Sequence, residues 1–216
     1  MNETPFEQLI NVMSRFRPNQ IDAITKIIQK NPGILNQTDE SQATPLFYAT
    51  QGNPLITELL LEHHANPNHK DDQGRTPLYS AVMNNQPEIC EVLLEHHANL
   101  NIQDKEGKTP LHYATQGDPN IVRLLLKHGA NPLIKDNSGN DPISIATDQE
   151  IIDLLHARTI EIVNKIPPDL ISQFLFGSRR SKRSKRSKRP KRSKRPKRSR
   201  RSRRSRRSKG LISRHF

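Results

Sequence analysis

The sequence predicts an all-α solenoid of stacked helix-turn-helix repeats followed by a disordered basic tail, and three observations predict it. TPLFYAT begins at Thr44, TPLYSAV at Thr76, TPLHYAT at Thr109 and DPISIAT at Asp141, in steps of 32, 33 and 32 residues. A second block keeps the same phase, with LLLEHHANPN from Leu59, VLLEHHANLN from Val92 and LLLKHGANPL from Leu124. A fixed period of this length marks a repeat array, in which one unit cannot bury its own apolar face and must stack on its neighbours. The third observation is compositional. Ser178 to Lys209 contain only Ser, Pro, Lys and Arg, and 21 of these 32 residues are basic. Such a run has no apolar surface to offset its chain entropy, so it is expected to be disordered.

Each repeat reads as helix, helix and polar turn. Thr before Pro opens the first helix, because the residue preceding proline is driven out of the α region, a hydroxyl can cap, and Pro at the first helical position forfeits no needed donor. Thr44, Thr76 and Thr109 are therefore expected N-caps, with Asp141 acting the same way before Pro142. In the second block, Ile89, Val92 and Leu93 fall at helical spacing and run out near His97 and Ala98. DDQGR from Asp71, DKEGK from Asp104 and DNSGN from Asp136 supply the turns. The expected organisation is an N-terminal capping helix pair over 1–37, with helices over Pro5–Arg15 and Gln20–Lys30. Repeats follow over 38–70, 71–103, 104–135 and a partial 136–158, then a C-terminal helix or linker over 159–177 and the tail over 178–216. Gln149 to Val163 should close the stack, and a monomer is expected.

These blocks resemble the ankyrin repeat, whose signature is T-P-L-H-x-A at a 33-residue period. The resemblance covers roughly residues 38 to 158, with TPLHYA complete at Thr109 and the GA-N ending intact at Gly129, Ala130 and Asn131. The signature His is replaced by Phe47, Tyr79 and Ser144, so the hydrogen-bonding role that the family assigns to it transfers only to His112. His64 and His97 stand where the family has Gly at a left-handed helix end, which implies two weaker turns. The first and third repeats read TQGNP and TQGDP where the second reads VMNNQP, a loop one residue longer. The resemblance also implies protein recognition by turn tips and the inner surface of the array. Contacts to a partner would then come from Glu40, Ser41, Asp72, Gln73, Arg75, Lys105, Glu106, Lys108, Asn137 and Ser138, with Met83 and Gln116 behind them.

Catalysis has no support in this sequence. No Gly-rich phosphate loop, G-x-S-x-G elbow, CxxC pair or HExxH helix occurs, and no cofactor is expected. The one cysteine, Cys90, lies in an apolar helix stretch and reads as a buried, inert thiol. A single Cys, no signal peptide and no apolar run long enough to span a bilayer fit a soluble protein of a reducing compartment. His63-His64, His96-His97 and His128 recur at one repeat position and read as copied turn residues and not as metal ligands. Residues 166–176, IPPDLISQFLF, look slightly like the opening of an F-box or the end of a SOCS box; a helix closing over the last repeat is the plainer reading.

The charge is divided between two parts. Residues 1–177 carry 13 Lys/Arg against 22 Asp/Glu, and residues 178–216 carry 22 basic residues and no acidic ones, so the net +13 joins an acidic body to a polycation. K-R-x-K, the pattern of a monopartite nuclear localisation signal, starts at Lys182, Lys185, Lys188, Lys191 and Lys194, with a K-R-S-R variant at Lys197. An import receptor would read Lys182, Arg183, Lys185, Arg186, Lys188, Arg189, Lys191, Arg192, Lys194, Arg195, Lys197 and Arg198. The alternative is a nucleic-acid or chromatin-binding protein acting through the tail. Phosphate contacts would give salt-sensitive affinity, while the lack of any aromatic residue in the run excludes base stacking there. Arg-Ser dipeptides resemble the RS segments of splicing proteins, but no RNA-binding fold accompanies them. Membrane binding ranks third, with no amphipathic helix or lipidation signal to add a second attachment. The expected role is thus an adaptor located in the nucleus, otherwise in the cytoplasm. The combination also resembles ankyrin-repeat effectors of intracellular bacteria or large viruses, for which the nucleus would be the host's.

Overall fold

A computed structural model describes residues 3–15 and 19–167 of the chain. The described part is helical throughout: α1 (Pro5–Met13), α2 (Gln20–Lys30), a 3-10 segment (Pro32–Asn36), α3 (Pro45–Ala49), α4 (Pro54–Glu62), α5 (Pro77–Met83), α6 (Pro87–Glu95), α7 (Pro110–Ala114), α8 (Pro119–Lys127), α9 (Pro142–Ile145) and α10 (Gln149–Asn164). Odd-numbered helices form an inner row, α1 on α3, α3 on α5, α5 on α7 and α7 on α9. Outside them α4 packs on α6, α6 on α8 and α8 on α10, while α2 packs on α1 and the 3-10 segment.

The helix starts follow from Thr-Pro and Asp-Pro. Thr44, Thr76, Thr109 and Asp141 all have extended backbone, φ −87 to −102° and ψ 165 to 166°, with Pro at the first helical position. The outer helices α4, α6 and α8 also begin on Pro. Asn53 Oδ1 accepts the N–H of Leu55 at 3.1 Å, and Asp118 Oδ1 accepts that of Asn120 at 2.8 Å. Their ends turn as the family resemblance implied. His64 (φ 67°) and His97 (φ 63°) occupy the left-handed conformation that Gly129 (φ 97°) takes in the third repeat. The chain then closes each end through Ala65 N–H to Leu60 O, Ala98 N–H to Leu93 O and Ala130 N–H to Leu125 O, at 2.9, 2.9 and 3.0 Å.

One continuous core runs through the stack. Leu46, Leu78 and Leu111 of the inner helices, and Leu60, Leu93 and Leu125 of the outer ones, are at most 1% exposed. Each such side chain contributes about 1.5–3 kcal/mol, and each is covered partly by the next repeat, which is why no unit could stand alone.

Two features differ from the sequence expectation. The N-terminal pair, expected as a cap outside the repeats, starts with the same device: Thr4 caps α1 before Pro5, and Glu7 at the third helical position completes a reciprocal capping box. Its Thr-Pro lies 40 residues before Thr44, outside the 32–33 period, and so escapes a periodicity search. Secondly, the longer loop of the second repeat extends α5 to seven residues, against five in α3 and α7, and puts Asn85 at φ 52°. The closing element expected over Gln149 to Val163 is α10, which runs unbroken across the boundary drawn between residues 158 and 159 and ends at Asn164. The expected helix within 166–176 and the tail lie outside the described residues.

Candidate functional site

The turn tips are built from one repeated carboxylate. Oδ1 of Asp39, Asp71, Asp104 and Asp136 accepts the backbone N–H two residues on and four residues on, at 2.8 to 2.9 Å: Ser41 and Ala43, Gln73 and Arg75, Glu106 and Lys108, Ser138 and Asn140. A short side chain bonding its own turn is what makes Asp a tip residue. Gly74, Gly107 and Gly139 then take positive φ, and in the first tip Gln42 does so at 61°. Successive tips are joined by single backbone bonds of 2.9 Å, from Asp72 N–H to Ser41 O, Lys105 N–H to Gln73 O and Asn137 N–H to Glu106 O.

The second oxygen reaches toward the inner helices. Asp39 Oδ2 accepts from the Tyr48 hydroxyl, Asp104 Oδ2 from the Tyr113 hydroxyl at 2.7 Å, and Asp71 Oδ2 from Arg75 Nε at 2.8 Å. Burial works to raise the Asp39 carboxyl, but hydrogen bonds from Tyr48, Ser41 and Ala43 outweigh it and hold the group below its usual value. The bond to Asp39 pushes the Tyr48 phenol up to about 12. Arg75 lies 5.3 Å from the Tyr79 ring centre, Lys108 lies 5.4 Å from that of Tyr113, and the two rings meet edge to face at 4.6 Å. Tips and inner helices thus form one face lined by Tyr48, Tyr79 and Tyr113.

The residues expected to contact a partner fall on this face. Glu40, Ser41, Asp72, Gln73, Lys105, Glu106, Asn137 and Ser138 are exposed at the tips, and Met83 is 54% exposed at the end of α5. Others have structural work. Arg75 is ion-paired with Asp71 at 2.7 Å and Lys108 with Glu106 at 2.8 Å. Gln116 Nε2 donates to Ile145 O at 3.0 Å, tying α7 to the end of α9, and Asn137 Nδ2 donates to Lys105 O at 2.9 Å. Two grooves open here. One, of about 370 Å³, lies between α3 and α5 and includes Phe47, Tyr48, Arg75, Tyr79 and Met83; the other, of about 640 Å³, lies between α7 and α9 and includes Lys105, Lys108, His112 and Gln116. Sequence reasoning missed Phe47, Tyr48, Tyr79 and Tyr113. Their signal was the two changing letters inside TPLFYA, TPLYSA and TPLHYA.

The caps of the inner helices divide into two kinds. At Thr109, His112 Nδ1 accepts the backbone N–H at 3.0 Å and lies 2.9 Å from the hydroxyl, while Nε2 lies 3.3 Å from Asn140 O. This network assigns the ring proton to Nε2. Burial leads the effects that hold His112 below the ordinary imidazole value. Thr44 and Thr76 are N-caps by backbone geometry, but the expected side-chain bonds are absent. Both hydroxyls are buried without a hydrogen-bond partner among the described residues, since Phe47 and Tyr79 stand where His112 stands in its repeat.

Elsewhere, Cys90 is 0% exposed and burial pushes its thiol up to about 12. Among the described residues no three His, Cys, Asp or Glu side chains gather as metal ligands, and no helix is long and apolar enough to cross a membrane.

A family model of ankyrin repeats (three copies) matches residues 11–104, and that of a single ankyrin repeat matches 106–137. The first match begins within α1, so it draws the N-terminal pair into the array. Among curated relatives, the rat and mouse proteins named Arf-GAP with coiled-coil, ANK repeat and PH domain-containing protein 2 are 51% identical over 47 residues, and the human one 47%. That stretch is 21% of this chain and 6% of each relative's length, a similarity of repeats alone.

Proposed function

Because the chain belongs to the ankyrin-repeat family, we propose that it is an adaptor: its stack holds a protein partner on the face formed by the inner helices and tips, and its basic tail carries the assembly into a nucleus. One observation carries the first half. Over a uniform leucine core, the exposed side chains of this face differ in charge and shape from repeat to repeat, from Glu40 and Ser41 to Asp72 and Gln73 to Lys105 and Glu106. Core positions repeat because packing repeats; tip positions are free to be fitted to a ligand. The second half rests on the overlapping K-R-x-K segments from Lys182 to Arg198. In the effector reading, the nucleus is that of a host cell.

Location in a eukaryotic cell tests the delivery. A fluorescent fusion of the full chain should accumulate in the nucleus, and one ending at Gly177 should not. Cytoplasmic signal from both would overturn it. The binding half is tested separately, by affinity purification with the full chain against Met83→Glu on the inner face and Leu55→Glu on α4. Leu55 is 65% exposed and lies off the proposed face. Partners should be lost with the first and kept with the second; loss with neither would refute the site.

Composition also favours a second reading, in which the tail binds nucleic acid and the repeats dock it. Duplex affinity would then fall gradually as Ser-Lys-Arg triplets are removed and would fall steeply with salt. Import-receptor binding would instead concentrate in one short segment.

A further inference from the structure

We propose that the groove between α3 and α5 is the partner's anchor point and that it takes a basic peptide segment carrying one apolar side chain. This rests on the reading of the inner face as a protein-binding face, and it names the partner's chemistry. The third position of each inner helix faces the Thr or Asp that opens that helix. Glu7, His112 and Ser144 use this position to complete a capping box. Phe47 and Tyr79 do not, and Thr44 and Thr76 are left buried with unpartnered hydroxyls. A buried hydroxyl without a partner destabilises a fold, so two adjacent repeats carry a defect that the third repeat shows how to repair. What the two rings do instead is line the groove, with Met83 exposed at its edge. Tyr79 gains a contact with Tyr113 in exchange, but a capping rule broken at the point where a groove opens is what a binding site would produce.

Charge gives the rest of the ligand. Tyr48 is shared between this groove and a cleft of about 690 Å³ between α1 and α3, lined by Phe6 and Ile10 with Glu3, Glu7 and Asp39. Groove and cleft together present four carboxylates, Glu3, Glu7, Asp39 and Asp71, against Arg75, which Asp71 already holds. Exposed Glu40 and Asp72 extend the same sign along the tips. Lysine or arginine flanking an apolar anchor complements this surface, and acidic peptides are repelled by it. The α7/α9 groove is the internal contrast, since it keeps a capping His112 and its Lys105 and Lys108 balance the carboxylates of Glu106 and Asp136.

The test selects binders to the full chain from a phage-displayed library of random short peptides, then titrates the enriched peptides against variants shown by circular dichroism to be folded. Acidic peptides captured by the tail are recognised by their indifference to Met83→Glu. Peptides weakened about thirtyfold by Met83→Glu, the scale of a hot spot, should share an apolar residue flanked by Lys or Arg. Tyr79→His should raise the urea midpoint while weakening the same peptides, two opposite changes that a purely structural Tyr79 would not produce. A Met83-dependent set of acidic or uncharged peptides overturns the proposal. So does dependence on Lys105→Glu and Lys108→Glu alone, which leaves the broader reading of the inner face standing. Insensitivity to all of these variants removes both.

Discussion

His112 Nδ1 lies 2.9 Å from the hydroxyl of Thr109 and takes the backbone N–H of the same residue at 3.0 Å, whereas the equivalent Tyr79 gives nothing to Thr76. The two repeats are otherwise alike: same Thr-Pro start, same extended cap backbone, same buried leucine at the second helical position. One side chain decides whether a buried hydroxyl contributes to the fold or costs it stability.

Thr76→Val and Thr109→Val should therefore differ in sign. Removing an unpartnered buried hydroxyl at nearly constant shape should be neutral or stabilise by up to about 1 kcal/mol, while breaking the bonded cap should cost about 1–2 kcal/mol. Urea unfolding of the two variants decides it. Equal destabilisation would show that the Thr76 hydroxyl is satisfied after all.

The same His112 sets a pH dependence. Its folded pKa lies below the ordinary 6.5, so in acid the unfolded chain binds its proton first. The contribution is fully present above about 6.5 and is lost as pH falls through the window down to the folded pKa. Unfolding free energy measured across this window should fall in the parent chain and fall less steeply in His112→Gln. Parallel curves would remove His112 as the source.

Backbone conformation gives a third pair of outcomes. His64→Gly and His97→Gly should each stabilise by about 0.5–1 kcal/mol, because left-handed backbone strains a residue with a Cβ and glycine adopts it freely. Gly107→Ala should do the reverse and more. A Cβ there would stand 2.5 Å from Asn137 Oδ1 and 2.7 Å from Asn137 N, in the next repeat, as well as at φ 79°. At Gly129, where no atom lies within 4 Å of such a Cβ, only the φ penalty of about 1 kcal/mol applies. Thermal or urea midpoints of the four variants test the order.

Cys90 should be silent toward thiol reagents in the native protein. With its thiol buried and pushed up to about 12, almost no thiolate exists near neutral pH, and a reagent must wait for the helix pair to open. Labelling should follow unfolding as urea is raised. Fast labelling without urea would place Cys90 outside the core.

The array was legible in the sequence because its signals are local. Thr before Pro, Asp four residues before the last turn residue, and leucines at helical spacing act over distances of two to five residues, and each recurs in phase. The left-handed His64 and His97 were legible for the same reason, since each occupies a Gly position of the repeat. The Thr4-Pro5 start of α1 was not, because its signal stands alone and out of period. Nor were the orphaned hydroxyls of Thr44 and Thr76. Their letters match that of Thr109, and only the arrangement of the third helical residue shows which has a partner.

Composition and period alone determined an all-helical array with an acidic body and a polycationic extension, since charge and repeat length are properties of the chain. The tertiary structure decided which side chains share a surface. Tyr79 meets Tyr113, Thr50 donates to Ser80 at 3.0 Å, and Asn137 closes over Gly107, each about 30 residues from its partner in sequence. Those pairings arise when repeats stack, because stacking brings equivalent positions together whatever residues fill them. The residues that fill them then decide whether the junction is a hydrogen bond, an aromatic contact or a groove.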